Sequence, residues 1–207
     1  METWELILSI IVGVGLSAAC GFRVFIPPLV MCIAAKSGHV SFGPEFAWMG
    51  SDVALVTFSI AAVLEIFAYY IPWLDNALDT IAAPAAVVAG TMTTAAMLGD
   101  ISPWLKWSMA AIAGGGAAGA VQVTTTVARG ASSMLTGGTG NWVVSTGEGI
   151  GAVITAILAI VVPILVFIGF IIFMGYVISK NPLKMYRDWR ARNEQQGPIK
   201  QPNVLTA

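Results

Sequence analysis

Residues 20–30, CGFRVFIPPLV, decide how the first part of this chain folds. The stretch lies in an apolar region, yet it contains Gly21, Arg23 and the adjacent prolines Pro27 and Pro28. Proline removes a backbone donor and clashes with the preceding turn, so an undisturbed helix does not run through these residues. In hydrocarbon, each freed carbonyl group needs another partner. The stretch therefore predicts a pair of short or broken helices, buried in protein or lining a wet cavity.

The composition of the whole chain indicates an integral membrane protein. Of its 207 residues, 57% are hydrophobic and 10% are charged, whereas soluble domains carry about 25% charged residues. The mean hydropathy is +0.82. Apolar runs recur at 6–20, 24–35, 52–73, 78–98, 104–121 and 150–178.

The lengths of these runs predict an all-α polytopic fold with six to eight helical segments. A spanning helix needs about 20 residues, and the runs 52–73 and 78–98 are long enough. The run 150–178 is long enough to tilt strongly or to break at Pro163. The first two runs are short, so we expect some helices to be broken or re-entrant.

Charge is distributed unevenly along the chain. Six of the ten Lys and Arg residues follow Ser179, whereas residues 1–179 hold nine acids against four bases, a formal charge of −5. The positive-inside rule predicts a cytoplasmic C-terminus in the cell (inner) membrane, where the basic tail meets anionic lipid headgroups. An acidic membrane body favours a cation or proton pathway, because ionisable groups in a bilayer are costly.

Two pairs of segments resemble each other within the chain. Residues 15–38 align with 114–137 at an offset of 99, and residues 51–66 align with 145–160 at an offset of 94. The order of features also repeats: a Gly/Ala-rich helix, a polar interruption, a Gly turn, a Ser-led span and a proline. Similar membrane composition is the alternative explanation, but we favour a duplicated unit.

The duplication predicts the domain organisation. Residues 1–100 form a first membrane repeat, 101–179 a second, and 180–207 a basic cytoplasmic tail. By analogy with transporters, we expect inverted repeats. Polar interruptions at 21–28 and 122–129 then meet near the midplane and form one site between the halves.

Two motifs resemble a known family. GFRVFIP at 21–27 is similar to an opening motif with Gly, Arg, Phe and Pro at alternate positions, and LEIFAYYIPWLDNALD at 64–79 resembles a second motif with Glu, Pro and two aspartates. The family comprises small bacterial integral membrane proteins described as domain of unknown function 4126. The resemblance covers most of residues 10–178. It implies a shared membrane fold but neither an activity nor a substrate.

Arg23 and Glu65 are the ionisable residues most deeply set in apolar sequence. Arginine in a membrane must reach the interface, pair with an acid or bind an anion. We weigh a structural ion pair of Arg23 with Glu65, Asp75 or Asp79 against a gate or substrate contact. An ionised Glu65 is costly to bury, which suits reversible protonation. Its alternative role is a carboxylate that Arg23 neutralises or that bonds a neighbouring helix.

Four further acids stand near predicted helix starts. Asp75 and Asp79 are four residues apart and share one helical face, which suits a cation or a shared proton, although both follow Pro72 and also fit helix capping. Glu148, like Asp52, opens an apolar run, and helix capping is again the alternative to a pathway role.

The segment 122–129 makes the second interruption polar. Gln122, Thr124, Thr125, Thr126 and Arg129 are suitable ligands for hydrated ions or small polar solutes. Threonine also bonds carbonyl groups of its own helix, so the cluster has a purely structural interpretation as well. The small residues of 113–120 are typical of close helix packing.

The sequence disfavours several other classes of function. We predict no enzyme, catalytic residue, cofactor or metal site, because Cys20 and Cys32 lie in apolar sequence and His39 has no ligand-spaced partner. We expect no nucleic-acid partner. Membrane lipids and an unknown ion or small solute are the expected partners, and a homo-oligomer is left open.

The leading hypothesis is a small membrane transporter or channel with a polar site between two repeats, with cation or proton coupling left open. The alternative is a non-transporting structural or lipid-interacting membrane protein. The predicted pathway residues are Arg23, Glu65, Asp75, Asp79, Gln122, Thr124, Thr125, Arg129 and Glu148.

Overall fold

The computed structural model describes residues 2–137 and 139–180, excluding the side chains of residues 72–77, 79 and 180. This part of the chain is helical and contains no strand, which confirms the all-α prediction for it. A 3₁₀ segment, Pro44–Gly50, precedes α3, and a π-helical segment, Ala110–Gly115, joins α5 to α6. The α-helices are α1 (Thr3–Cys20), α2 (Ile26–Lys36), α3 (Asp52–Ala68), α4 (Pro72–Met97), α5 (Pro103–Met109), α6 (Gly116–Thr136), α7 (Asn141–Val161) and α8 (Pro163–Lys180).

The predicted break in the first apolar region is confirmed. Helix α1 ends at Cys20, and α2 begins at Ile26 with Pro27 and Pro28 in its first turn. Proline is tolerated there because the first N–H groups of a helix have no intrahelical partner. The prolines therefore start a second short helix instead of kinking a continuous one.

Three described helical segments are long and apolar enough to cross a membrane: Thr3–Cys20, Thr80–Met97 and Asn141–Val161. The 3₁₀ segment and α3 form a fourth candidate, although they are bent by 66°. These lengths and compositions are those of a membrane protein. The first run was expected to be too short, but α1 already begins at Thr3, because Glu2 and Glu5 form a capping box there.

Helix α1 forms the centre of the packed bundle. It contacts α4, α6, α7 and the π-helical segment, and its residues from Val12 to Cys20 are all buried. The hydroxyl oxygen of Ser17 lies 2.5 Å from the carbonyl oxygen of Gly90 and 2.7 Å from Oγ1 of Thr94. Small residues and interhelical hydrogen bonds thus hold α1 against α4, as is usual between membrane helices.

The π-helical segment packs against α4 at glycines. A Cβ atom added to Gly114 would lie 2.6 Å from the carbonyl oxygen of Gly90, and one added to Gly90 would lie 2.5 Å from Cβ of Ala118. Neither site has room for a larger residue. This contact supports the packing role predicted for residues 113–120.

The second half of the chain differs from expectation in two places. Helix α6 runs without a break through Gln122 and Arg129, so the predicted second interruption is polar but fully helical. Helix α7 begins at Asn141, well before the apolar run that starts at residue 150. It therefore follows closely after α6, which ends at Thr136. Of the two alternatives for the run 150–178, a strong tilt or a break at Pro163, the structure shows the break, because α7 ends at Val161 and α8 begins at Pro163.

The chain divides into two compact units after Ile171. The packing described above belongs to the first unit, and the described part of the second is the C-terminal end of α8. The duplication with boundaries at 100 and 179, and its inverted arrangement, stay predictions. The basic tail lies outside the described residues, apart from the backbone of Lys180.

Candidate functional site

Four ionisable side chains from different elements are buried in one region of the bundle. The exposed fractions are 2% for Arg23, 8% for Glu65, 6% for Arg129 and 6% for Glu148. Arg23 lies in the α1–α2 break, and Glu65, Arg129 and Glu148 lie on α3, α6 and α7 in that order. Buried charges in a membrane protein are rare, pair with one another and often mark functional sites. We call these four residues the charge cluster.

Arg129 and Glu148 form the strongest ion pair of the charge cluster. Nε of Arg129 donates to both carboxylate oxygens of Glu148 at 3.0 and 3.1 Å, and Nη2 also bonds Oε2. Such a fork-like contact is stronger and more directional than a single hydrogen bond. It joins α6 to α7 across the connection at 137–140.

Arg23 approaches the same carboxylate from the α1–α2 break. Its Nη2 lies 3.9 Å from Oε2 of Glu148 and donates to the carbonyl oxygen and hydroxyl of Ser145 at 2.7 and 2.5 Å. Nε and Nη1 of Arg23 have no hydrogen-bond partner among the described residues. Each unmet donor costs about 1–3 kcal/mol when buried. Within the described part of the chain, Arg23 therefore meets Glu148, and not Glu65 as one interpretation expected.

The ring of Tyr69 contacts both arginines. The guanidinium carbon of Arg23 lies 3.8 Å from the ring centroid, and that of Arg129 lies 4.1 Å from it. A cation over an aromatic face is attracted by the negative charge of the ring face. Tyr69 therefore contributes to holding two like charges in one small volume.

Glu65 holds the start of α2. Its carboxylate accepts the backbone N–H of Val24 at 2.8 Å and that of Phe25 at 3.1 Å. A negative charge is favourable at a helix N-terminus and a positive charge at a C-terminus. The Glu65 carboxylate lies at the N-terminus of α2. Arg23 follows the C-terminal end of α1 in the chain. Glu65 thus complements the N-terminus of α2, while the guanidinium group of Arg23 reaches across to Ser145 on α7.

The charge cluster lies near one end of several helices. Glu65 is in the last turn of α3, which ends at Ala68, and Arg23 follows the end of α1. Glu148 lies seven residues after the start of α7 at Asn141, about 10 Å along the helix axis. The cluster thus lies at the ends of α1 and α3 but well inside α7, and its predicted position at the midplane stays a prediction.

A cavity of about 330 Å³ adjoins Arg23. Its polar walls are Arg23, Ser145, Tyr70 and Thr146, and a hydrogen bond of 2.9 Å joins the last two hydroxyls. Most of the remaining wall is formed by aliphatic side chains of α2, α3 and α7. Among the described residues, the cavity wall is therefore mostly apolar, with Arg23 as its one cation.

The polar face of α6 bonds mainly to itself. Thr125 and Thr126 donate to the carbonyl oxygen of Gln122, and Thr124 donates to that of Ala120, at 2.9 Å in each case. Gln122 and Thr125 are buried on the same face as Arg129. The threonine hydroxyl groups thus bond carbonyl groups of their own helix, as the structural interpretation expects. Among the described ion pairs, Arg129 is the member of this segment that takes part.

The acids near helix starts have different outcomes. Asp52 stands in the first turn of α3, as the capping interpretation expects, and the Ser51 hydroxyl caps the helix by accepting the N–H of Ala54. Helix capping by Glu148 is wrong, because α7 starts at Asn141 and Glu148 is bound by Arg129.

Asp75 and Asp79 lie in the first turns of α4, which begins at Pro72 as predicted. Their side chains lie outside the described part of the structure.

The structure also identifies residues that the sequence analysis missed. Ser145 and Tyr69 complete the surroundings of Arg23, and each had a signal: Ser145 is three residues before Glu148, and Tyr69 is four residues after Glu65. At these spacings, two helical residues share a face. Lys106 on α5 is also buried, with 3% exposure, and pairs with Glu45 at 3.3 Å.

Comparison with known proteins gives one result. Residues 10–180 match the model of the family described as domain of unknown function 4126. No curated protein and no solved structure matches the chain.

Proposed function

We propose that this chain, which belongs to the family described as domain of unknown function 4126, is a small membrane transporter or channel. The observation that carries the proposal is the charge cluster, whose four buried ionisable side chains come from four separate elements. A purely apolar bundle has no need of these charges, and burying them is costly. Their retention is explained if the contacts of Arg23 and Glu65 open and close as an ion or small polar solute passes, while Arg129 and Glu148 stay paired.

Glu65 is the proposed proton-coupling group. Its carboxylate accepts two backbone N–H groups at the start of α2, and these groups bind a carboxylate better than a neutral carboxyl. Protonation of Glu65 therefore weakens its hold on Val24 and Phe25. We propose that the α1–α2 break then shifts and admits solute beside Arg23, which couples movement to a proton.

Broken helices support this proposal further. In transporters, short interrupted segments place helix ends at the substrate site. The α1–α2 break places the end of one helix and the start of another beside Arg23. We retain the inverted duplication as part of this proposal, with the halves meeting at the charge cluster.

Proton movement in proteoliposomes tests the role of Glu65. Liposomes that contain a pH-sensitive dye and the full chain receive an inside-negative potential, in the presence of a panel of inorganic ions, amino acids and sugars. We expect the wild type to acidify the lumen faster than empty liposomes do, and Glu65→Gln to fall to the empty-liposome rate. Asp100→Asn is the matched control, because Asp100 is exposed.

The outcomes separate the proposals. Equal rates for the wild type and Glu65→Gln, both above background, exclude Glu65 as the coupling group. Wild-type rates at background with every solute favour the second candidate, a structural or lipid-interacting protein. That candidate is supported by the threonines of α6, which bond their own helix.

We also propose an inner-membrane location with a cytoplasmic C-terminus, from the six basic residues after Ser179. A green fluorescent protein fused after Ala207 is expected to fluoresce, and alkaline phosphatase at the same position to be inactive. The reverse pattern contradicts this orientation.

A further inference from the structure

Arg23 is a buried cation with unmet hydrogen-bonding capacity. It is 2% exposed, and its Nε and Nη1 have no hydrogen-bond partner among the described residues. Buried polar groups in native proteins nearly always have partners, so unpaired ones point to a missing group. Since guanidinium nitrogens only donate, the missing group must be an acceptor.

The acids of the charge cluster do not supply that acceptor. Glu148 is bonded by Arg129 through two nitrogens, and its nearest approach to Arg23 is 3.9 Å, beyond hydrogen-bond distance. Glu65 is bonded by the backbone N–H groups of Val24 and Phe25. An anion from outside the protein would complement the charge of Arg23.

The cavity beside Arg23 restricts which anion fits. Its volume of about 330 Å³ lies within the range of small-molecule sites. Its walls beyond Ser145 and Thr146 are mainly aliphatic, including Ile26, Ile66 and Ile154. A bare inorganic anion would lose its hydration here without recovering it. A hydrocarbon chain with an anionic end matches both parts of the cavity.

The cavity also faces the outside of the bundle. Ile66, Ile150 and Ile154 are 38%, 56% and 51% exposed, so in a bilayer they lie beside acyl chains. A ligand therefore reaches Arg23 from the lipid phase. A single chain suits a cavity of this volume better than a two-chain phospholipid does.

We infer that Arg23, Ser145 and the aliphatic cavity of α2, α3 and α7 bind a single-chain carboxylate of the fatty-acid class. The carboxylate accepts from Arg23, and the chain lies along Ile66 and Ile154. This inference goes beyond the proposed function, because binding of such a ligand requires no transport.

Displacement of a fluorescent fatty acid tests the inference. The full chain is placed in nanodiscs of phosphatidylcholine, loaded with a polyene fatty acid, and titrated at pH 8 with dodecanoate, methyl dodecanoate, acetate or phosphatidylglycerol. We expect displacement by dodecanoate, and at least about tenfold weaker displacement by the other three, which is the loss expected for one missing hydrogen bond to a charge or for a missing chain.

Variants locate the site without removing Arg23, whose loss risks misfolding. Ile154→Trp fills the cavity, and we expect it to weaken binding at least about tenfold. Ile157→Trp is the matched control on the same helix, because Ile157 is 46% exposed and does not line the cavity; its binding should equal that of the wild type.

Several results would overturn the inference. Equal displacement by dodecanoate and its methyl ester would show that the negative charge of the carboxylate does not contribute to binding. Displacement by acetate as strong as that by dodecanoate would show that the hydrocarbon chain does not contribute to binding. Stronger displacement by phosphatidylglycerol would identify a two-chain lipid as the ligand instead. Equal binding by both tryptophan variants places the ligand elsewhere. Proton movement through Glu65 is measured separately, so neither proposal depends on the other's result.

Discussion

Arg129 on α6 donates to Glu148 on α7 through two nitrogens, and both residues are only 6% exposed. The pair joins two helices that follow each other in the chain and are also bonded near the connection, where Asn141 donates to Ser133 at 2.9 Å. Because both charges are removed from water, the pair is costly to form but even more costly to break. It is therefore a structural requirement of the charge cluster, whatever passes beside it.

Breaking this pair should destabilise the protein more than removing it. We expect Arg129→Met or Glu148→Met alone to lower the free energy of unfolding by about 3–5 kcal/mol, because each removes one partner of a buried, hydrogen-bonded ion pair. The double variant should lose clearly less than the sum. Unfolding by sodium dodecyl sulfate in mixed micelles measures all four states of this double-mutant cycle.

Additive losses in the same cycle would contradict the ion pair. Ser145→Ala serves as a control for this cycle, because it removes one acceptor of Arg23 and leaves the Arg129–Glu148 pair in place.

Tyr69 should stabilise the bundle through its ring. The ring contacts the guanidinium groups of both Arg23 and Arg129, and each desolvated contact of this kind contributes about 1–2 kcal/mol. We expect Tyr69→Leu to be less stable than Tyr69→Phe, which keeps the ring and loses only the hydroxyl. Equal unfolding free energies for the Leu and Phe variants would show that the ring face contributes nothing.

The glycine contact between α4 and the π-helical segment allows a matched pair of substitutions. A Cβ atom at Gly114 meets the carbonyl oxygen of Gly90, whereas one at Gly116 meets nothing within 4 Å. We expect Gly114→Ala to destabilise by roughly 1–3 kcal/mol, and Gly116→Ala to be neutral or to stabilise by up to about 1 kcal/mol. Thermal unfolding in detergent compares the two, and a harmless Gly114→Ala would contradict the close packing.

The parts of the fold set by local chemistry were predictable. Proline at positions 27 and 28 determines where α2 starts, and Pro163 determines where α7 gives way to α8. Ser51 followed by Asp52 marks the start of α3 as an N-cap followed by an acid.

The start of α7 and the form of α6 were not predictable in the same way. The apolar run that signals this helix starts only at residue 150, and Gly147 and Gly149 are poor helix formers, yet α7 begins at Asn141 and includes both glycines. Packing against α1 and α2 overrides propensity here. Likewise, the polar residues of α6 bond their own carbonyl groups, so they do not interrupt the helix.

The charge cluster was predictable in membership but not in pairing. Arg23, Glu65, Arg129 and Glu148 were all among the predicted pathway residues, although helix capping was the alternative for Glu148. The partner of each depends on how four elements come together in space, and no local pattern encodes that. The contact of Arg23 with Ser145, and the shared ring of Tyr69, emerged only from the structure.

Water access at position 122 tests the central claim most directly, since a permeation site must become hydrated and a structural cluster stays dry. In a Cys20→Ala, Cys32→Ala background, Gln122→Cys and Ala156→Cys are each reconstituted in liposomes and exposed to a charged, membrane-impermeant thiol reagent. Gln122 is 6% exposed on the buried face of α6 that also carries Arg129, and Ala156 is fully buried in the apolar core. We expect the thiol introduced at position 122 to react and the thiol introduced at position 156 to stay unmodified. If both stay unmodified in liposomes that expose each side of the membrane to the reagent, the charge cluster is a dry structural element and the protein does not transport through it.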